Sequence, residues 1–121
     1  MPFIKLSVAK KISEEKEQTI VDCLGKALSV VPGKDPQWTM VEVNDGQKLY
    51  FGGKKQEDMV FADVKYVGRQ EFHKKREFTR EACQMIHEVL GTPIDRICVT
   101  ITEYDNWGAV GEFRDIYYVD E

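Results

Sequence analysis

No stretch of this 121-residue chain approaches the roughly 18 uninterrupted apolar residues of a membrane-spanning helix. Lys5, Lys10 and Lys11 interrupt the N-terminus before a secretory apolar segment could form. No membrane association is therefore expected, and the cytoplasm is the expected location. Cysteine is scarce and odd in number: Cys23, Cys83 and Cys98, none in a Cys-x-x-Cys pair. That excludes a disulfide framework or a zinc site as the basis of the fold, and predicts small side chains in or near the core. Histidine occurs twice, at His73 and His87, with no ligand partner at metal spacing. Positive charge is not in surplus either. The net charge of −4 argues against nucleic acid as the main partner. A chain that is 42% hydrophobic and 31% charged reads instead as one soluble globular domain, 1–121, long enough to bury its own core.

Within that domain the hydrophobic pattern repeats. Ile20, Leu24, Ala27, Leu28 and Val31 follow the spacing of one helix face. Ser13 stands as a candidate N-cap, with Glu14 and Glu15 where the helix dipole favours acid. Pro32-Gly33 ends the run. Phe78, Ala82, Met85, Ile86 and Val89 repeat the spacing, and Gly91 closes that second helix. A shift of 58 residues, Ile20 to Phe78, also aligns the flanking strands without a gap. "PFIKLSV" at 2–8 falls on "VFADVKY" at 60–66, and "TMVEVND" at 39–45 on "ICVTITE" at 97–103. The chain is thus β-α-β written twice, at about 2–45 and 60–103, with a tail at 104–121. In the connection, "KLYFGG" predicts a short extra strand with Gly52-Gly53 turning beside the site. In the tail, Trp107 and its neighbouring glycines predict a turn, and "DIYYV" an edge strand.

Each β-α-β unit requires parallel strands. Two units give an α/β domain: a four-stranded sheet with two helices on one face. Runs such as "VFADV" and "ICVTI" suggest burial on both sheet faces, so the uncovered face predicts an oligomer. Two architectures fit this description. One is the ferredoxin-like domain. The other is the tautomerase fold, whose sheets pack into a trimeric barrel.

Proline behind the initiator methionine separates them. Methionine before a small residue is normally removed, which would leave Pro2 as a secondary amine. An α-amino group titrates near 8, and burial or a nearby cation lowers that value. Fixed at a strand end, such an amine can act as a general base beside a carbonyl, or as a nucleophile.

Pro2 opening this repeat, "GKDPQWTMVEVNDGQKLYFGG" at 33–53 and "GTPIDRICVTI" at 91–101 together resemble the tautomerase superfamily, and within it the macrophage migration inhibitory factor-like group. The resemblance covers about residues 2–107. It implies a homotrimeric barrel, an active site around Pro2, no cofactor or metal, and a small carboxylate-bearing substrate. The implied reaction is keto–enol tautomerisation of a 2-oxo acid such as phenylpyruvate, with Pro2 as general acid and base. Lys34 matches the family lysine that holds the carboxylate. Val67 falls where the family offers a backbone N–H to the substrate.

Departures keep other readings open. The tyrosine and asparagine of that group's pocket correspond to Cys98 and Thr100, so an aromatic wall would come from Trp38, Phe51 or Trp107. Asp35 aligns with the catalytic aspartate of malonate semialdehyde decarboxylase, and Arg69 lies near that enzyme's carboxylate-binding arginine. Its second arginine is replaced by Glu71. A Pro2-dependent decarboxylase, hydratase or dehalogenase acting on a 3-carbon acid is the first alternative, and a non-enzymatic binding protein the second. The decarboxylase reading needs Arg69 and Asp35 at the Pro2 pocket; the tautomerase reading needs Lys34 there. Trp107 and Phe113 are the tail's candidates for the site.

Overall fold

The computed structural model describes residues 1–118. Strand β1 (Phe3–Val8) leads to helix α1 (Glu14–Leu28), whose first turn is capped by the Ser13 hydroxyl accepting from the Lys16 N–H at 3.2 Å. The helix stops three residues before the predicted Val31. Ser29, Val30 and Val31 still donate to Lys26, Ala27 and Leu28 in a tightened last turn, so Val31 remains buried. A single 3-10 turn (Pro36–Trp38) then feeds β2 (Met40–Asn44). The connection folds as a small hairpin, β3 (Tyr50–Phe51) and β4 (Lys54–Lys55). The second unit is β5 (Val60–Val67), α2 (Phe72–Leu90) and β6 (Ile97–Tyr104). Gly91 ends α2 at φ 77°, the left-handed conformation that glycine adopts without a Cβ clash.

The main sheet has the order β2-β1-β5-β6. β1 runs parallel to β2 and β5 parallel to β6, while β1 and β5 are antiparallel, Phe3 opposite Lys65 and Val8 opposite Val60. Each β-α-β unit is therefore internally parallel, as its crossover helix requires, and the two units join back to back through their first strands. Alternate residues Ile4, Leu6 and Val8 of β1 and Val60, Ala62, Val64 and Tyr66 of β5 are buried against Ile20, Leu24, Ala27 and Leu28 of α1 and Phe78, Ala82 and Ile86 of α2. The helical spacing read from the sequence supplies the inner face of both helices.

The other sheet face stays open in the single chain. Cys98, Thr100, Thr102 and Tyr104 on β6 are exposed, and Phe61, Asp63, Lys65 and Val67 on β5 half-buried. One chain therefore leaves this face uncovered, as two β-α-β units with both helices on one face require. No helix among the described residues is long and apolar enough to cross a membrane.

The tail departs from expectation. It makes its own hairpin, β7 (Asn106–Ala109) and β8 (Glu112–Asp115), with Trp107 opposite Arg114. Trp107 is a strand residue and the turn is Val110-Gly111. The "DIYYV" strand at 115–119 is not formed as expected: Asp115 closes β8, Ile116 and Tyr117 turn, and Val119 lies outside the described residues.

Candidate active site

Pro2 lies at the entrance of β1, a central strand, where a residue lacking an N–H costs the ladder nothing. It is buried, and its carbonyl accepts the Met40 N–H at 2.8 Å, which ties the start of β1 to the start of β2. Two adjoining cavities open at this point, about 340 and 300 Å³ in volume. Met1, Pro2, Gly33 and Arg114 line both. The larger is lined by Trp38, Trp107, Ala109 and Val110, together with Asp35 and Glu112. The smaller holds Lys34, Val67, Gly68, Asp115 and Ile116. One side is therefore aromatic and the other rich in cations and backbone groups.

Lys34 follows the turn after α1 and crosses to the end of β5. Its ammonium donates to the Val67 carbonyl at 3.0 Å and lies 4.8 Å from the centre of the Tyr66 ring. Burial, and then the positive charge of Arg114, lower its pKa, while Glu103 opposes them. Beneath it the Tyr66 hydroxyl donates to Glu103 at 2.9 Å. Glu103 also accepts the Gln70 N–H at 2.7 Å and the Lys75 ammonium at 3.1 Å. Burial alone would raise the Glu103 pKa, but these donors together hold it below the ordinary carboxylate value. Tyr66 moves the other way: burial and the adjacent Glu103 push its hydroxyl pKa far up, so it stays a donor.

Val67 ends β5. Gly68 donates to the Tyr104 carbonyl at 2.8 Å, so by strand alternation the Val67 N–H points away from β6 toward β1. Extending the Phe3–Lys65 register by two residues puts Val67 opposite Met1. With Met1 attached, the Pro2 nitrogen is an amide and not a base. The Met1 amine, at the same place, has its pKa lowered by burial and by Lys34 and Arg114.

The remaining candidates divide. Trp107 lines the aromatic cavity and packs edge-on against Tyr104 at 5.6 Å. Trp38 joins it, 55% exposed in the single chain. Asp35 reaches the same cavity, but its carboxylate accepts the Gln37 N–H at 2.8 Å and caps the 3-10 turn. Arg69 lines neither cavity. Its guanidinium is paired with Asp105 at 2.7 Å. Phe51 and the Gly52-Gly53 turn lie off the site, Phe51 under the Arg96 guanidinium at 5.0 Å. Phe113 sits on the outer face of β8, 70% exposed, because the alternation that turns Trp107 and Arg114 inward turns it outward. Cys98 and Thr100 occupy the open sheet face, where Thr100 donates to Asp63 at 3.2 Å. Among the described residues, no group of three or more His, Cys, Asp or Glu side chains is arranged to hold a metal ion.

The profile of the macrophage migration inhibitory factor family matches residues 1–112 of the chain. This protein belongs to the macrophage migration inhibitory factor family. Its fold is shared by solved structures across the tautomerase superfamily. It is similar to MIF2 of Leishmania major, with a TM-score of 0.85 and 21% identity over 94% of this chain and 97% of that one. It resembles Pt0534 inactivated by 2-oxo-3-pentynoate, with a TM-score of 0.82 and 14% identity over 90% and 93%. N1, a member of the cis-3-chloroacrylic acid dehalogenase family, matches with a TM-score of 0.78 and 18% identity over 91% and 81%. No curated protein sequence matches significantly. The fold is common to these proteins, at identities too low to carry a substrate across.

Within this family member, sequence reasoning missed Arg114, Gly68 and Ile116 at the cavities, and the Tyr66–Glu103–Lys75 group under Lys34. Arg114 left one signal: it is the lone basic residue in an otherwise acidic tail. The support under Lys34 left none, since its members come from β5, α2 and β6 and meet only in three dimensions.

Proposed function

We propose that this protein, once freed of Met1, is a tautomerase of 2-oxo acids with an apolar side chain, phenylpyruvate being the representative. Pro2 is its general acid and base. The observation that carries this reading is the shared cavity of Pro2, Lys34 and Val67, next to a compartment walled by Trp38 and Trp107. Removing Met1 makes the Pro2 nitrogen a secondary amine in the surroundings that already lower the Met1 pKa: burial, Lys34 and Arg114. A neutral amine at physiological pH can take a proton from the carbon next to the ketone. The electron pair moves onto the carbonyl oxygen, which is then protonated to give the enol. The reverse sequence returns the proton from Pro2 to carbon. Lys34 holds the carboxylate, and the Val67 N–H supports the oxygen as charge develops.

A decarboxylating or dehalogenating reading is less well supported. It calls on Arg69, which is engaged by Asp105, and on Asp35, whose carboxylate caps its own turn. We further propose that the protein is cytoplasmic and works as a homotrimer, closing the sheet face that one chain leaves open. The test of the catalytic reading is ketonisation of phenylpyruvate enol by Met1-free protein, by protein retaining Met1 and by Pro2→Ala. A rate well above the buffer rate in the first alone supports Pro2 catalysis. Equal rates in all three contradict it.

A further inference from the structure

The β7–β8 hairpin brings one guanidinium to the Pro2 cavities, and no ion pair among the described residues engages it. Three carboxylates line the same cavities. Asp35 accepts the Gln37 N–H and Asp115 the Tyr117 N–H, each at 2.8 Å. Glu112 lies two residues before Arg114 on the same hairpin face, yet forms no pair with it. Lys34 likewise leans on a carbonyl and an aromatic ring, not on a carboxylate. Two cations with no carboxylate partner among the described residues thus line one cavity of about 300 Å³ beside Pro2. Like charges gathered on one concave wall repel, and a bound anion relieves that repulsion.

We infer that Arg114 is a second carboxylate-binding residue, closing with Lys34 on the single carboxylate of the substrate. This rests on the proposed function in one respect, that the Pro2 cavities are where substrate binds. The two cations would do different work. A guanidinium presents parallel N–H donors that match both oxygens of a carboxylate and fix its plane, whereas an ammonium is a point donor. Arg114 also stands at the boundary of the two cavities, and its cross-strand neighbour Trp107 projects from the same face of the hairpin. A carboxylate held there leaves the rest of the molecule directed at Trp38, Trp107, Ala109 and Val110. A second carboxylate on that side would meet Asp35 and Glu112. The substrate class is then a 2-oxo monoacid with an aromatic or bulky apolar side chain, and diacids are disfavoured.

The test is a binding measurement that does not depend on turnover. Met1-free protein is titrated with phenylpyruvate and with methyl phenylpyruvate, and the indole N–H signals of Trp38 and Trp107 are followed by NMR. Arg114→Ala should weaken binding of the acid about tenfold or more, the scale of a lost charged hydrogen bond. The ester, which has no charge to hold, should change less than about twofold. Arg114→Lys should recover part of the loss, and unchanged indole signals in the free variants confirm that the hairpin still folds. Equal weakening of acid and ester, or no weakening of the acid, overturns the inference. So does failure of phenylpyruvate to shift either indole signal in the unsubstituted protein. A protein that binds the acid through Arg114 but does not ketonise its enol would sink the catalytic reading alone.

Discussion

At the scale of single residues, the proposed site sets two cations, Lys34 and Arg114, beside the amine that Pro2 would carry once Met1 is removed. Lys34→Gln should lower kcat/KM for phenylpyruvate enol by about tenfold or more, since it removes a charged contact to the carboxylate. It also removes a positive charge from the surroundings of the Pro2 amine. The amine pKa should then rise, and the basic limb of the pH–rate profile should move to higher pH. A profile that stays put, with only KM changed, would show that Lys34 does not act on Pro2. Glu103 answers to a different measurement. Its pKa is depressed in the folded protein, so the stability it contributes is present above its ordinary value of 4.5 and is lost as pH falls through the lower, folded value. Glu103→Gln should cost about 1–3 kcal/mol at neutral pH and flatten the acid side of the stability curve, as read by urea unfolding between pH 3 and 7. Pro2, Lys34 and Val67 were readable because each falls in a stretch with a family counterpart. Asp35 was readable too, but the same residue type serves a turn cap, and only geometry reveals the Gln37 N–H on its carboxylate.

Among the elements, the helices were the most legible and the tail the least. Ile20, Leu24, Ala27, Leu28 and Val31 are all buried, as helical spacing required, because that spacing is set by the backbone and independent of partners. The β7–β8 hairpin defeats such reading for a physical reason. Its two turn residues, Val110 and Gly111, have φ of 55° and 73°, the pattern of a tight hairpin turn that normally calls for Asn-Gly. A β-branched residue in that conformation is strained, and valine is not a turn signal. Val110 also lines the aromatic cavity, so the strain lies at the site itself. Val110→Asn should relieve about 1 kcal/mol and slow amide exchange in the hairpin about fivefold. Unchanged exchange would show that the turn holds no strain. The same substitution puts a polar group among Trp38 and Trp107, so phenylpyruvate binding should weaken even as the hairpin becomes firmer.

For the whole molecule, one chain covers one face of its sheet and leaves the other to solvent. The core between sheet and helices is conventional: Phe78 is fully enclosed, and Phe78→Ala should cost about 3–5 kcal/mol in denaturant unfolding. The open face and the exposed Trp38, Met40, Tyr50 and Phe51 are where a trimer would close, and sedimentation should give a trimer for Met1-free protein. A monomer would leave Trp38 half in water and the aromatic compartment unfinished. Symmetry of this kind cannot be read from a single sequence beyond the hint in "ICVTI", since the surfaces that would meet belong to different copies. Acid–base chemistry at Pro2 is tested most directly by titrating its amine in Met1-free protein labelled with ¹⁵N at proline. The expected midpoint lies below the value near 8 of an ordinary α-amine, and it should rise in both Lys34→Gln and Arg114→Ala. A midpoint at or above 8, unmoved by either substitution, would contradict a tuned base at Pro2 and leave the cavity as a binding site without chemistry.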